Sequence, residues 1–351
     1  MREWEKNIRR VEPYVPGEQP KDTDKVIKLN TNENPYPPAP EVELAAKKMN
    51  YDEFRLYPDP SSTSLVKEIA AKYGIKPTQV FPGVGSDDVL SMIFLTFFNS
   101  DKPILFPDIT YSFYSVWADV YKIPYETPAL DENFMIRAED YYKPNGGVVI
   151  ANPNAPTSIY RGPDFIEDIL RHNKDSIVVV DEAYIDFGGE SALKLLPAYD
   201  NLIIVRTFSK SRSMAGMRIG FAMASEELIK ALNDVKYSIN SYTLNRPAIE
   251  LGTIAMKADE YYDDVTRKVI ATRERSKKEL EKLGFTCLES STNFLFATHK
   301  SVDANVIFNE LREAGIYVRH FSAPRIDNYL RITIGTDEQM DRLIDFLGKY
   351  A

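Results

Sequence analysis

The chain has 351 residues, of which 44% are hydrophobic and 27% charged, a balance typical of a globular protein long enough for about two domains. Its 52 acidic and 43 basic side chains give a formal net charge of −9, spread without long blocks of one sign. This charge argues against nucleic acid as a partner.

Three further features of the composition restrict the compartment and the chemistry. The single cysteine, Cys287, excludes an internal disulfide and favours a reducing compartment. The first ten residues lack the apolar core of a signal peptide, and the longest apolar stretch, 89–98, is about half a membrane span, so we expect a cytoplasmic protein without membrane contact. The three histidines, His172, His299 and His320, show no metal-ligand spacing, so no metal site is predicted.

Residues 1–40 are predicted to form an extended N-terminal arm and not a core element. They are rich in proline and asparagine, which favour turns and extended segments. Helices are predicted at 41–49 and 64–73. Between them Tyr57 precedes a proline, in an extended segment from which a side chain can project outward.

The next segment combines a strand at 79–81, a Gly-Val-Gly turn and a helix that runs through the apolar stretch. Such a junction collects unpaired N–H groups and the positive end of a helix dipole, which makes it a ready anion site. The turn lacks the third glycine of the dinucleotide fingerprint and is not followed by a Walker lysine. The glycine pattern alone is therefore weak evidence for any particular ligand.

Strands and helices then alternate, which predicts a doubly wound α/β fold with a parallel sheet. Strands are predicted at 102–106 and 147–150, with a helix after each. The apolar run that begins at residue 176 ends in an acid, Asp181, and Tyr184 follows three residues later. An acid at a strand end can face a ligand that binds along the edge of the sheet.

The chemistry concentrates in the segment 201–220. A strand at 202–205 is followed by Ser209 and Lys210, just past its carboxyl end, where open α/β sheets bind ligands. A desolvated lysine there can form a Schiff base with a cofactor carbonyl, while the hydroxyl and the forked guanidinium of Arg218 suit a phosphate group. Asp181 can hold a pyridine nitrogen protonated and Tyr184 can bind a ring oxygen. Together these residues predict pyridoxal 5′-phosphate as cofactor.

The link from 208 to 218 is too short and irregular to contain a crossover helix. For Arg218 to reach the same crevice as Lys210, the strand that follows, 219–223, must run against its neighbours. We therefore predict a mostly parallel seven-stranded sheet with one antiparallel strand.

The rest of the chain reads as helices and a small α/β module. Helices are predicted at 225–238 and 258–283, and the module has strands at 286–288, 293–297 and 330–334 with helices at 303–314 and 337–350. The predicted division is an arm at 1–40, a large cofactor-binding domain at 41–245 and a small domain at 246–351.

Two stretches, DEAYIDF at 181–187 and RTFSKSRSMAGMRIG at 206–220, resemble the fold-type I aminotransferases, and among these the histidinol-phosphate aminotransferase branch. The resemblance runs from EPYVPG at 12–17 to YLRITIG at 329–335. It implies the fold of the pyridoxal-phosphate-dependent transferases and a homodimer with shared active sites.

The resemblance also implies roles for residues whose own context says little. The backbone amides of Ser86 and Asp87 bind the cofactor phosphate, and Tyr111 stacks on the cofactor ring. Tyr57 reaches the cofactor phosphate of the partner subunit. Without the resemblance, Tyr57 and Tyr111 read as packed aromatics and Ser86 and Asp87 as helix-capping residues.

Three substrate residues are implied in the same way. Tyr14 helps to close the substrate pocket, Arg331 binds the α-carboxylate of an amino-acid substrate, and Arg319 binds the phosphate or distal anion. As isolated side chains, the arginines read as surface salt-bridge partners and Tyr14 reads equally well as an anchor for the arm.

One segment departs from the family pattern. The family places an asparagine before Pro-Thr-Gly to bind the ring oxygen, whereas this chain has Ala155 there and Ser158 in place of the glycine. The ring-oxygen contact is then left to Tyr184, together with Asn152 or Asn154. The sequence leaves both alternatives open.

The function implied is transamination between L-histidinol phosphate and 2-oxoglutarate, giving imidazole acetol phosphate and L-glutamate. Lys210 holds the cofactor and transfers the proton, Asp181 holds the ring nitrogen protonated, and Tyr184 contacts the ring oxygen. An aromatic amino-acid aminotransferase or a phosphothreonine decarboxylase of the same fold would show nearly the same residues. A protein that binds nucleotide or phosphate without covalent chemistry, through the Gly-Val-Gly turn, is the alternative from a different class.

Overall fold

The computed structural model describes residues 2–20 and 26–351; residues 1 and 21–25 of the predicted arm lie outside the described residues. Within the described part there are thirteen strands and ten α-helices. The strands are β1 Ile27–Lys28, β2 Val80–Gly83, β3 Ile104–Leu105, β4 Tyr125–Glu126, β5 Gly147–Ala151, β6 Val178–Asp181, β7 Leu202–Thr207, β8 Gly220–Met223, β9 Phe285–Cys287, β10 Phe294–His299, β11 Ile316–Tyr317, β12 Arg319–His320 and β13 Leu330–Thr333. The helices are α1 Pro40–Lys47, α2 Thr63–Tyr73, α3 Gly85–Phe97, α4 Phe113–Tyr121, α5 Pro163–His172, α6 Glu226–Ile239, α7 Arg246–Lys257, α8 Asp259–Lys282, α9 Ala304–Glu313 and α10 Asp337–Leu347.

The main sheet has seven strands in the order β2-β8-β7-β6-β5-β3-β4. Strand β8 is antiparallel to both of its neighbours, and the other pairings are parallel. The predicted α/β fold and its one antiparallel strand are therefore confirmed. The chain between β7 and β8 contains only one short 3-10 helix, Ala215–Met217, so it turns back beside β7 without crossing the sheet.

Helices cover both faces of this sheet, which explains why its central strands are apolar throughout. Alternate residues of β6 serve the two faces: Val178 and Val180 lie in one hydrophobic cluster, and Val179 lies in the other. All three are fully buried. Strands β6 and β7 are paired in parallel, so their carboxyl ends lie next to each other at one edge of the sheet.

A second, antiparallel sheet has the order β12-β13-β10-β9, and its own core is shared with α8, α9 and α10. Arg319 on β12 lies directly opposite Arg331 on β13. The division into a large and a small domain agrees with the separate sheets but stays a prediction.

The arm contains a core element, which corrects the expectation of a purely extended segment. Strand β1 pairs in parallel with β11, and Ile27 and Leu29 are 2% and 1% exposed in the core of the second sheet. The prediction failed because the partner strand lies almost 290 residues further along the chain, whereas composition reports only local preference. Helix α7 was also not predicted; Asn245 caps it and a proline occupies its first turn.

Candidate active site

Asp181, the last residue of β6, is a buried acid. Its carboxylate accepts hydrogen bonds from the Tyr114 hydroxyl at 2.9 Å and from the Ala183 N–H at 3.1 Å. Burial raises the pKa of this carboxyl to about 6. In the part of the chain that the structure describes, no cationic side chain forms an ion pair with it, so a ligand that carries a protonated nitrogen would stabilise its charged form.

Lys210 and Tyr184 lie beside each other beyond the ends of β7 and β6. The Lys210 Nζ is 5.4 Å from the centre of the Tyr184 ring and 3.4 Å from the Thr31 carbonyl oxygen. The Tyr184 hydroxyl accepts a hydrogen bond of 2.8 Å from the Asn32 side-chain amide. The predicted lysine and tyrosine are therefore neighbours, with the N-terminal arm lying against both.

The amino end of α3 forms a cradle with Arg218. Gly85 has a φ of +82°, and a Cβ built on it would lie 2.5 Å from the Arg218 guanidinium, so only glycine fits there. Gly220 on β8 packs against the backbone of Gly85 and Ser86 so closely that a Cβ would overlap with it. The first-turn amides of a helix, including those of Ser86 and Asp87, have no partner within it. Amides and guanidinium together suit an anion, and the binding of a phosphate here stays a prediction.

The Asp87 side chain joins two further predicted residues. Its two oxygens accept hydrogen bonds from the Tyr111 hydroxyl at 2.8 Å and from Arg218 at 3.1 Å. Burial and the charge of Asp87 raise the pKa of the Tyr111 phenol, which keeps this tyrosine a hydrogen-bond donor. Asp87 thus fixes the orientation of both side chains, a role that sequence reasoning had not assigned to its carboxylate.

Ser209 is buried and oriented by its neighbour. The Thr207 hydroxyl donates to the Ser209 Oγ at 3.0 Å, and the Ser209 N–H donates to the Thr207 Oγ1 at 3.1 Å. Since its oxygen already accepts a hydrogen bond, the Ser209 hydroxyl retains its own proton to donate to a ligand.

Arg319 and Arg331 form a cationic pair. They are directly opposite on antiparallel strands, so their side chains leave the same face of the second sheet. Arg331 donates to the Asn30 carbonyl oxygen at 2.9 Å, Arg319 donates to the Val15 carbonyl oxygen at 3.3 Å, and neither has a carboxylate partner among the described residues. Burial, and to a smaller extent Arg319, lower the pKa of the Arg331 guanidinium, and its buried Nε has no hydrogen-bond partner in the described chain. Like charges held together in this way are suited to binding an anion.

Tyr14 belongs to the same region. Its ring stacks on Phe113 with centroids 4.2 Å apart, and Phe113 in turn lies 5.5 Å from Tyr111. Two consecutive residues of the arm, Tyr14 and Val15, therefore contact α4 and the second sheet.

Tyr57 lies apart from the active-site residues, and no described side-chain contact links it to them. Its side chain is 79% exposed and stacks on Tyr242 with centroids 4.6 Å apart. The expected contact of Tyr57 with a partner subunit stays a prediction.

The two asparagines left open by the sequence are both held by their own loop. Both side-chain N–H groups of Asn154 are used, in bonds to the Ile109 carbonyl oxygen and to the Thr157 hydroxyl. Asn152 pairs with the backbone N–H and carbonyl of Arg161.

Sequence reasoning missed two residues of the site: Asn32, which contacts Tyr184, and Tyr114, which contacts Asp181. Tyr114 had one local signal, a position one helical turn after Tyr111, whereas Asn32 had none.

Comparison with known proteins decides the family. The family model for aminotransferase class I and II matches residues 24–347. The chain belongs to this family. The histidinol-phosphate aminotransferase of Clostridium acetobutylicum is 54% identical to this aminotransferase over 342 residues, 97% of each chain, and that of Lactococcus lactis subsp. cremoris is 50% identical over 347 residues, 99% of this chain and 97% of the relative.

The fold is also that of solved aminotransferases. A crystal structure of histidinol-phosphate aminotransferase from Sinorhizobium meliloti in complex with pyridoxal-5′-phosphate superposes with a TM-score of 0.85 at 23% identity, covering 93% of this chain and 91% of that one. Pyridoxal phosphate is the cofactor of this class of enzyme. Membership of the family sets aside the alternative of a non-covalent nucleotide-binding protein. Among the described residues, no helix of the aminotransferase combines the length and the apolar character that crossing a bilayer requires.

The residues present fit pyridoxal phosphate. Gly85 and Gly220 have no side chain, which lets the Arg218 guanidinium and the backbone at the start of α3 lie close together. The Ser209 hydroxyl can donate a hydrogen bond to a phosphate oxygen. A buried acid without a cation lies at one strand end, and an amine lies beyond the next. Only the ring-oxygen position deviates, because buried Ala155 offers no polar group.

Proposed function

We propose that this aminotransferase transfers the amino group of L-histidinol phosphate to 2-oxoglutarate, giving imidazole acetol phosphate and L-glutamate. The observation that carries the proposal is the arrangement of the buried acid Asp181 and the amine of Lys210 at the ends of neighbouring strands, together with Arg218, which meets Asp87 at the amino end of α3. The choice of substrate is supported by relatives at 50% and 54% identity that bear this name.

The cofactor, when bound, supplies an aldehyde that accepts the amine and a ring that withdraws electrons from the substrate carbon. For its phosphate we assign Arg218, the Ser209 hydroxyl and the backbone amides of Ser86 and Asp87. Tyr111 would lie against the ring face, held there by the Asp87 carboxylate.

Each remaining residue has a separate task. Asp181 would accept a hydrogen bond from the protonated ring nitrogen, and Tyr114 orients this carboxylate. Tyr184 would donate to the ring oxygen. Lys210, which is already close to Tyr184, removes the proton from the substrate carbon that bears the amine and holds it at Nζ.

Arg319 and Arg331 provide for the anions of the substrates. L-histidinol phosphate has a phosphate and no α-carboxylate, whereas glutamate has two carboxylates, so the site must bind an anion at more than one position. Two arginines that face each other without carboxylate partners among the described residues offer forked donors for both substrates. Tyr14, stacked on Phe113, would cover the bound substrate.

We also propose a homodimer in which Tyr57 contacts the partner's cofactor phosphate. Its support is a set of exposed apolar side chains in this region, including the aromatic pairs Tyr51–Phe54 and Tyr57–Tyr242; with Leu56 they are 42% to 79% exposed. Aromatic residues are enriched at protein interfaces.

We place the enzyme in the cytoplasm. Its single cysteine is a free thiol, and burial raises the pKa of Cys287 to about 12. Such a thiol stays protonated and unreactive. A chain with one cysteine cannot form an internal disulfide, and this suits the reducing cytoplasm.

The test is a donor screen on the purified protein with pyridoxal phosphate and 2-oxoglutarate. We expect glutamate to form fastest with L-histidinol phosphate, and we expect Lys210→Ala to lose activity by about a thousandfold or more and to lose the yellow colour, since general acid–base catalysis alone supplies ~10²–10⁴. Lys230→Ala, a change on the exposed side of α6, is the matched control. Faster turnover of phenylalanine or tyrosine would indicate an aromatic aminotransferase, and release of carbon dioxide from phosphothreonine would overturn the transaminase.

A further inference from the structure

Three consecutive residues of the arm each contact a different functional side chain. The Asn30 carbonyl oxygen accepts from Arg331 at 2.9 Å, the Thr31 carbonyl oxygen accepts from Lys210 at 3.4 Å, and the Asn32 side chain donates to Tyr184 at 2.8 Å. The segment 30–32 therefore links the candidate anion site, the reactive amine and the phenol. Only the Asn32 contact is made by a side chain, so it is the one that depends on residue type.

The orientation of the Asn32 amide is fixed by Thr333 on β13. The Asn32 backbone N–H donates to the Thr333 Oγ1 at 3.0 Å, and the Thr333 hydroxyl donates in return to the Asn32 Oδ1, also at 3.0 Å. The Thr333 Oγ1 thus accepts from the Asn32 backbone, and its single proton is donated to the Asn32 amide oxygen. The Asn32 Nδ2 is then left to face Tyr184.

The direction of the Asn32 hydrogen bond determines what Tyr184 can do. An N–H that donates to the phenol oxygen occupies a lone pair and leaves the phenol's own proton for another acceptor. Donation to the oxygen also polarises the O–H and strengthens it as a donor. Tyr184 is thereby prepared to donate a hydrogen bond into the site.

The backbone at Asn32 is built for this contact. Its φ is +56°, a region that asparagine adopts more readily than most residues, and its side chain is 2% exposed. The Asn293 side chain donates to the Asn32 carbonyl oxygen at 3.0 Å and holds the segment from the second sheet. A backbone conformation that costs free energy and is held in place by several hydrogen bonds is typical of a functional position.

We propose that Asn32 is a positioning residue that directs the Tyr184 hydroxyl toward the ring oxygen of the cofactor, and that it thereby compensates for the asparagine that this chain lacks at Ala155. The inference rests on the proposed function, because it needs a bound cofactor. The sequence offered Asn152 or Asn154 for the contact with the ring oxygen. In this proposal the contact is made by Tyr184, and the buried Asn32 orients the Tyr184 hydroxyl.

The test is a pH titration of the absorption band of the bound cofactor. Hydrogen bonds to the ring oxygen favour its deprotonated form, so weakening them raises the midpoint of the titration. We expect Asn32→Ala to raise the midpoint by about 0.5 to 1 pH unit, the size of one ordinary hydrogen bond. Asn309→Ala on α9 is the matched control, because that exposed side chain donates to Asn305 and not to Tyr184, and its midpoint should not move.

Two further variants keep the test decisive. Thr333→Val leaves Asn32 in place but removes the hydroxyl that orients it, and should raise the midpoint in the same direction. The double variant Asn32→Ala with Tyr184→Phe should shift the midpoint no further than Tyr184→Phe alone, because Asn32 acts through the phenol. Additive shifts, or an unmoved midpoint in both Asn32→Ala and Thr333→Val, overturn the inference. A wild-type protein without a titrating band would refute the proposed function instead.

Discussion

Asp181→Asn is expected to make the cofactor-free protein more stable relative to the wild type as pH rises, and to weaken cofactor binding. Asparagine has nearly the shape of aspartate, but its single oxygen can accept from the Tyr114 hydroxyl or from the Ala183 N–H and not from both, a loss that does not depend on pH. It carries no charge, so the cost of burying a carboxylate without a cation disappears. The same change removes the acceptor charge that a protonated pyridine nitrogen needs.

The magnitude follows from the raised pKa of Asp181. The pKa is about 6 in the folded state against an ordinary value of 3.8, so the folded protein binds the proton more tightly than the unfolded chain does. The associated stability is fully present below the ordinary pKa and is lost as pH rises through the folded value. As pH rises from about 4.5 to about 8, the unfolding free energy of the wild type should therefore fall by about 2 kcal/mol relative to that of Asp181→Asn.

Urea unfolding of both cofactor-free proteins across this pH range measures the difference directly. The free energy of unfolding of Asp181→Asn minus that of the wild type should rise by about 2 kcal/mol with increasing pH and level off above about pH 7. Asp101→Asn, a change at an exposed acid, is the control for the loss of one negative charge. A flat or falling difference for Asp181→Asn would show that the carboxylate is not penalised by burial, and the reasoning would be wrong.

Three further expectations test the site. Gly220→Ala should destabilise the protein by about 1–3 kcal/mol in urea and abolish cofactor binding, because its Cβ overlaps the backbone of Gly85 and Ser86, whereas Gly216→Ala, whose Cβ meets open space, should do neither. Arg331→Lys should raise the KM for glutamate at least about tenfold, since lysine cannot fork a carboxylate, and Arg275→Lys on α8 should leave it unchanged. Tyr57→Phe should weaken cofactor affinity, and hybrid dimers of Tyr57→Phe with Lys210→Ala should recover one site of normal affinity; hybrids that show only weak sites would place Tyr57 in its own subunit's site.

The sequence by itself determined the sheet and the main chemistry of the strand ends. The central strands are continuous apolar runs, and burial on both faces of a parallel sheet is what such runs require. Asp181 and Lys210 follow such runs directly, so their placement at the edge of the sheet is a local property of the chain. The antiparallel direction of β8 followed from the short link before it. The match to a family model over residues 24–347 confirms the family suggested by these motifs.

Only the tertiary structure decided which groups orient these residues. Asn32 meets Tyr184 across 152 positions of sequence, and its neighbours reach Arg331 and Lys210 across still longer separations. Pairing at such distances leaves no periodic pattern in the chain, because it depends on how the arm lies against two sheets. The facing of Arg319 and Arg331 was invisible for the same reason, since it is set by strand register and not by the composition of either strand.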